Sequence, residues 1–241
     1  KIFFDKNYKI DRIIPQYDIE VGKVDKKTFI KTYKFLTDKI INTYWNKYKL
    51  GKSNYFEARI ASKSQNINIK KSAKSFKNVI FLHIFRDSPF DTIDRRRIFF
   101  DYSQWITNTL NILKDSEEEW LLREHPSAKR WGENSKEILQ SILDTNFNGK
   151  LPQNVKYSSE NVSNIDQFKT AKRVVTYSGN AHLEAGCFGI KPIILSNCTI
   201  VKFDREIFLK PKSFTEYKKL LMKNSTDRIF TLKSNQIKIF R

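Results

Sequence analysis

Cysteine and histidine are scarce in this chain of 241 residues, which contains two cysteines and three histidines. Cys187 and Cys198 provide no disulfide framework and no Cys-x-x-Cys pair, and so few histidines argue against a dedicated zinc site. We therefore expect no metal site and no cofactor, and the low cysteine content favours a reducing, cytoplasmic compartment.

Long apolar runs are also absent, and none approaches the roughly 20 residues that cross a membrane. Only 7 glycines and 6 prolines argue against an all-β chain rich in turns, and no signal peptide is visible. The apolar content of 39%, with 19 Phe and 10 Tyr, is enough to bury a core, so we expect a folded chain. Because the first residue is Lys1 rather than Met, we expect a trimmed chain or a piece of a longer protein.

Acidic residues are few in this chain. It contains 26 Asp and Glu residues against 45 Lys and Arg residues, which gives a net charge of +19. Part of this excess reflects a composition rich in Lys, Asn and Ile. A field this positive favours phosphates, anionic polymers or the anionic cytoplasmic leaflet, so a peripheral position at the inner face of the membrane is expected. No helix-turn-helix, zinc-finger or RNP-type pattern occurs, and we expect no specific nucleic-acid partner.

Strand and helix patterns alternate from Asn78 onward and predict an α/β fold. The prediction is a Rossmann-like domain over residues 77–222, with a parallel sheet and helices on both faces. Strands are predicted at 78–85, 119–123, 155–157, 173–177 and from 192. Helices are predicted at 102–113, 133–143, 164–170, 180–188 and 212–221.

The two ends of the chain have sequence patterns that differ from the pattern of this central domain. Residues 1–76 are predicted to form an N-terminal helical extension and connection, with an amphipathic helix at about 26 to 50. We expect that helix to pack through the side that carries Phe29, Tyr33, Leu36, Ile40 and Tyr44. Residues 223–241 are predicted to be a basic C-terminal tail.

Polar side chains follow two of the predicted strands, at the edge where open parallel sheets bind ligands. Asp87 follows the first strand and is the candidate general base, although a loop aspartate also caps turns. Arg123 and His125 alternate about Glu124, so they can point to one side and both donate to a phosphate. Pro126 holds His125 extended, although a lone histidine can also merely cap a loop.

The stretch from Val174 to Leu195 predicts a strand, a small polar turn at Ser178-Gly179-Asn180 and a helix that Gly189 ends. A turn that leads into a helix start offers unpaired N–H groups and the positive end of the helix dipole, which suits a phosphate. Glu184 lies one turn into that helix, within reach of a sugar hydroxyl beside the phosphate. An ordinary βαβ crossover without a ligand has the same pattern.

Four motifs carry a family resemblance: Phe85 to Phe90, Arg123-Glu124-His125-Pro126, Thr176 to Glu184, and Gly189-Ile190-Lys191-Pro192. In this order they resemble the C-terminal nucleotide-sugar-binding domain of GT-B glycosyltransferases. The likeness is greatest to bacterial capsule and lipopolysaccharide synthesis proteins, including the Kdo-transferase-like group. It covers roughly residues 77 to 222.

The resemblance implies a glycosyltransferase that takes a CMP- or UDP-sugar donor and a glycan or glycolipid acceptor, without a metal. It places the turn at Ser178, Gly179 and Asn180 against the donor phosphates and Glu184 against the ribose, and it counts His182 among the donor-binding residues. Arg123 and His125 contact the phosphate or the base. The N-terminal Rossmann-like domain of such enzymes is not recognisable in residues 1–76, which puts independent activity of this chain in doubt.

Three alternatives remain open. Two are enzymes of related fold, a nucleotide-sugar epimerase and a polyol-phosphate transferase. An epimerase would add acid/base carboxylates in the cleft, and the sequence alone does not place them. The third is a non-catalytic module that binds an anionic polymer or nucleic acid through the net charge of +19.

Overall fold

The computed structural model of the chain describes residues 2–4, 10–13, 43, 46–47, 76–85, 98–158, 164–177, 181–195 and 207–237. The predicted amphipathic helix at 26 to 50 lies outside them, apart from Thr43, Asn46 and Lys47, which are helical and exposed. Near the N-terminus, strand β1 (Ile2–Phe4) pairs antiparallel with β2 (Ile10–Ile13), a hairpin that the sequence analysis did not predict.

A five-stranded parallel sheet forms the centre of the described chain and confirms the predicted Rossmann-like α/β fold. The strand order is β5-β4-β3-β6-β7. After β3 the chain adds β4 and then β5 on one side of it, and afterwards adds β6 and β7 on the other side. The topology therefore switches between β3 and β6. The strands are β3 (Asn78–Phe81), β4 (Trp120–Arg123), β5 (Val155–Ser158), β6 (Arg173–Thr176) and β7 (Ile193–Ile194).

The three central strands end at the same level. Phe81, the last residue of β3, pairs with Arg123 of β4 on one side and with Thr176 of β6 on the other. The predicted end of β3 at residue 85 was wrong by four residues, although the apolar run continues that far. One further ladder bond, from Leu82 N to the Arg123 carbonyl at 2.9 Å, closes the sheet, and His83 therefore lies in a loop.

Six α-helices accompany the strands from Asn78 onward in the described residues, and three of them, α1, α2 and α5, begin at a capping side chain. Asp101 accepts from Gln104 N at 2.7 Å and begins α1 where it was predicted. Asn134 caps α2, which therefore starts two residues later than predicted. The helices are α1 (Tyr102–Leu113), α2 (Ser135–Asn146), α3 (Asn164–Thr170), α4 (Ala181–Cys187), α5 (Phe214–Met222) and α6 (Ser234–Ile237).

Two of the predicted helix signals are confirmed by their hydrogen bonds. Ser213 Oγ accepts from Glu216 N at 3.2 Å and Glu216 Oε2 accepts from Lys212 N at 2.7 Å, so both side chains cap α5. Gly189 follows α4 with φ of 82°, and Ile190 N donates back to the Ala185 carbonyl at 3.1 Å. This is the left-handed glycine stop expected at the end of α4.

Both faces of the sheet are covered, as predicted. One face packs against α1 and α5, where Trp105 Nε1 donates to the Tyr217 hydroxyl at 2.9 Å. The other face packs against α3 and α4 through residues such as Phe168 and Ala185. Residues 223–237, which the sequence analysis assigns to a basic tail, contribute the buried side chains of Phe230 and Leu232. No helix in the described ranges is both long and apolar enough to cross a membrane.

A buried arginine joins the amino ends of the strands to the C-terminal part of the domain. Arg173, the first residue of β6, has no exposed side-chain surface and forms an ion pair with Glu118. Its guanidinium lies 4.4 Å from the ring centroid of Trp120 and 5.1 Å from that of Phe230. Its other partners are Asn78 Oδ1 at 2.9 Å and the carbonyls of Leu220, Leu221 and Lys223 at 3.1, 2.7 and 2.7 Å.

We predict that Arg173→Ala lowers the free energy of unfolding by about 3–5 kcal/mol, because it removes the ion pair with Glu118 and leaves buried carbonyls without their donor. Urea denaturation followed by circular dichroism measures the change. Lys169→Ala is the control, because Lys169 and its partner Asp166 are 61% and 51% exposed and such pairs contribute at most about 1 kcal/mol. Arg173→Lys keeps one charge and should fall between them. Equal stabilities of the two alanine variants would contradict the prediction.

Candidate functional site

Three loops leave the carboxyl edge of the sheet next to the point where the topology switches. Leu82 and His83 follow β3, Glu124 and His125 follow β4, and Tyr177 follows β6. Because these strands end level, the loops begin side by side. Crevices of this kind are where open parallel sheets bind ligands.

Two histidines from neighbouring strands approach each other at this edge. The rings of His83 and His125 are 6.3 Å apart between centroids and are inclined by 32°. His83 stacks on Tyr102, the first residue of α1, at 4.7 Å and 17°. Tyr102 in turn meets Phe85 and Tyr177 edge-on, so the His83 ring rests on packed aromatic side chains.

The local hydrogen bonds give the two histidines opposite neutral tautomers. His83 Nδ1 lies 3.0 Å from the Ile84 carbonyl, which can only accept, so Nδ1 carries the proton and Nε2 is the acceptor. His125 Nδ1 accepts from Ser127 N at 3.1 Å, so its proton is on Nε2. In the neutral state, Nε2 of His83 is therefore a proton acceptor and Nε2 of His125 a proton donor.

Arg123 and His125 were both predicted to bind the donor. Arg123 is 5% exposed, and its guanidinium lies 5.6 Å from the Phe81 ring centroid at the end of the neighbouring strand. His125 is half-buried and lies beside His83. The guanidinium of Arg123 and the imidazole of His125 thus lie two residues apart in the chain at the end of β4.

Glu184 and His182, both predicted to bind the donor, have different surroundings on α4. Asn164, the buried first residue of α3, donates from Nδ2 to Glu184 Oε2 at 2.8 Å and so orients that carboxylate. His182 is 2% exposed and meets Phe208 edge-on at 5.0 Å, which is a packing contact. Asp87 and the turn at residues 178–180 lie outside the described residues, and their roles stay predictions.

The sequence analysis used Glu124 only as a spacer, yet its surroundings are unusual. Burial raises the pKa of Glu124, while the charge of Lys129 and the Tyr157 hydroxyl oppose the shift. Burial also raises the pKa of Tyr157, and the nearby Glu124 carboxylate adds to that effect. A carboxyl with a raised pKa can exchange protons nearer neutrality.

His83 was the other residue that the sequence analysis missed. The available signal was a single polar side chain inside the apolar run from residue 79 to 85, near the end of a predicted strand. Among the residues that the structure describes, no group of three or more His, Cys, Asp or Glu side chains is arranged to hold a metal ion. The described edge carries cationic, imidazole and carboxyl side chains.

Comparisons with known proteins give a weak structural likeness. No protein-family model matches the chain, and no curated protein matches it significantly. A solved structure similar to it is the UDP-GlcNAc 2-epimerase of Methanocaldococcus jannaschii, in complex with UDP-GlcNAc and UDP. The TM-score is 0.44 with 14% identity, and the match covers 82% of this chain and 50% of the epimerase. A likeness this weak carries no argument about activity.

We predict that NMR will find neutral His83 protonated at Nδ1 and neutral His125 protonated at Nε2. The ¹⁵N shifts of the imidazole nitrogens distinguish the two tautomers, and His83→Ala and His125→Ala assign the signals. The measurement belongs at a pH about two units above the usual histidine pKa of about 6.5, where both rings are neutral. The same tautomer in both rings would contradict the hydrogen-bond assignment.

Proposed function

We propose that this domain binds a nucleotide-sugar donor at the carboxyl edge of its sheet and belongs to a glycosyltransferase. The observations that carry the proposal are the approach of His83 to His125 beside the topological switch, the place of Arg123 at the end of β4, and the orientation of Glu184 by Asn164. The cation and the imidazoles suit phosphate oxygens, whereas an oriented carboxylate suits the hydroxyls of a ribose. A ligand that carries both groups matches this edge better than a phosphate alone.

Sugar transfer needs a proton acceptor for the attacking hydroxyl and charge stabilisation for the departing phosphate. As the acceptor oxygen bonds to the sugar carbon, the bond from that carbon to the phosphate oxygen breaks. We assign Nε2 of His83 to take the proton of the hydroxyl. Arg123 and the Nε2–H of His125 stabilise the negative charge that appears on the phosphate.

The finer parts of the proposal rest on the sequence. The GT-B resemblance supports a CMP- or UDP-sugar donor and a role in capsule or lipopolysaccharide synthesis, with a glycan or glycolipid acceptor. The net charge of +19 supports contact with an anionic membrane surface at the cytoplasmic side. The turn at Ser178, Gly179 and Asn180 is proposed to face the donor phosphates, and Asp87 remains the alternative general base.

Glu124 favours a second candidate, a nucleotide-sugar epimerase. Epimerisation at carbon removes a C–H proton and returns one to the opposite face, so it needs acid/base groups near neutrality. Glu124, with its raised pKa, stands between Arg123 and His125 in the chain. Incubation with UDP-sugars in D₂O without an acceptor separates the candidates, because only the epimerase exchanges a carbon-bound proton for deuterium. We expect no exchange, and an exchanged proton would favour the epimerase.

We predict that His125→Ala and Glu184→Ala each weaken nucleotide binding about ten- to a hundredfold. Each removes a charged or strongly polar hydrogen-bond partner, which commonly costs about 1.5–3 kcal/mol. A thermal-shift screen of CMP, CDP, UDP, GDP and their sugars first selects the ligand that raises the melting temperature most. Calorimetry then measures its affinity for each folded variant.

Glu119→Ala is the matched control for both variants. Glu119 is an exposed carboxylate just before β4, at the opposite edge of the sheet, and its loss should leave the affinity unchanged. Nucleotide affinities of His125→Ala and Glu184→Ala equal to that of Glu119→Ala would remove the main support for the proposed donor site. The same outcome follows if no ligand in the screen shifts the melting temperature.

A further inference from the structure

A polar pocket of about 430 Å³ opens beside the donor edge, past the end of β4. It starts at Glu124, the residue between Arg123 and His125, and therefore adjoins the proposed donor site in the chain. Its walls combine two carboxylates, two ammonium groups and a side-chain amide. The lining residues are Glu124, Lys129, Gly132, Glu133, Asn134 and Lys136.

The wall of this pocket is a tightly hydrogen-bonded turn that starts at His125. The His125 carbonyl accepts from Ala128 N at 3.0 Å, and the Ala128 carbonyl accepts from the N–H groups of Trp131 and Glu133, both at 3.0 Å. Gly132 closes the turn with φ of 67°, a conformation that disfavours other residues. The pocket is therefore fixed rigidly to the strand end that carries His125.

An exposed tryptophan lies in the same turn. Trp131 stands in the chain between Lys129 and Gly132, both of which line the pocket, and 57% of its surface is exposed. Tryptophan is the largest apolar side chain and usually contributes to binding when it is held exposed on a rigid surface. Trp131 thus belongs to the turn that forms the pocket wall and directly precedes Gly132 of the lining.

The side chains that line the pocket determine which class of ligand fits it. Hydroxyl groups both donate and accept, so a polyhydroxylated ring can satisfy carboxylates such as Glu124 and ammonium groups such as Lys129 together. The flat apolar face of a pyranose can also cover the indole of Trp131. Phosphates and nucleic acids fit less well, because Glu124 and Glu133 repel them at close range.

We propose that this pocket and Trp131 form a saccharide-binding subsite, which holds the acceptor glycan next to the donor. The assignment of the saccharide as an acceptor rests on the proposed glycosyltransferase function. The saccharide-binding surface itself does not, because apart from Glu124 it is built from residues outside the donor edge. The subsite places the acceptor on the β4 side of the sheet, past His125.

The test uses the whole chain, fluorescently labelled and without nucleotide, on an array of bacterial surface glycans. Calorimetry then measures the affinity for the glycan that binds most strongly. Trp131→Ala should weaken that affinity about tenfold or more, and Glu124→Gln should weaken it to a smaller degree. Phe100→Ala is the matched control, because Phe100 is 54% exposed and belongs neither to the pocket nor to the turn from His125 to Glu133, and it should bind as the wild type does.

The outcomes separate this proposal from the donor site. Nucleotide affinity should be unchanged in Trp131→Ala, and a parallel loss would assign Trp131 to the donor site and overturn the subsite. Absence of binding to every glycan, or equal binding by Trp131→Ala and Phe100→Ala, would also overturn it. Glycan binding that depends on Trp131 in a protein that binds no nucleotide would support the subsite and remove the proposed donor function instead.

Discussion

The buried guanidinium of Arg173 is the contact on which the rest of the described domain depends. It joins β6 to β3 through Asn78, to the strand β4 region through Glu118 and Trp120, and to the end of α5 through three carbonyls. Burial lowers the pKa of Arg173 to about 10, and Glu118 opposes the shift, so the side chain stays charged at neutral pH. Because a buried charge without partners is costly, an arrangement that separates these elements from Arg173 is strongly disfavoured.

Because the Arg173 contacts lie at the amino edge of the sheet, the amino and carboxyl edges have different roles. Arg173 fixes the strands at the amino edge, and their register brings Phe81, Arg123 and Thr176 level at the other edge. The carboxyl edge then carries polar groups that are positioned by neighbours, such as His83 on Tyr102 and Glu184 on Asn164. Because the Arg173 contacts that hold the strands together lie at the amino edge, the carboxyl edge can carry polar side chains without weakening the core.

Periodicity and capping residues were enough to predict the sheet and most helices, because those signals are local. α1 and α3 have the predicted bounds, and Gly189 ends α4 as expected. The end of β3 was not predictable, because the apolar run continues after the hydrogen-bond ladder stops. The site was predicted only in part, because the pairing of His83 with His125 and the raised pKa of Glu124 arise from contacts between loops.

A crystal structure of the chain with the nucleotide that stabilises it most would test the donor-site account most directly. The account predicts phosphate oxygens within hydrogen-bond distance of Arg123 and of Nε2 of His125, and a ribose hydroxyl at Glu184. It also predicts His83 on the side of the phosphate where an acceptor hydroxyl would enter. A nucleotide bound away from the carboxyl edge of β3, β4 and β6, or phosphates that touch neither Arg123 nor His125, would contradict it.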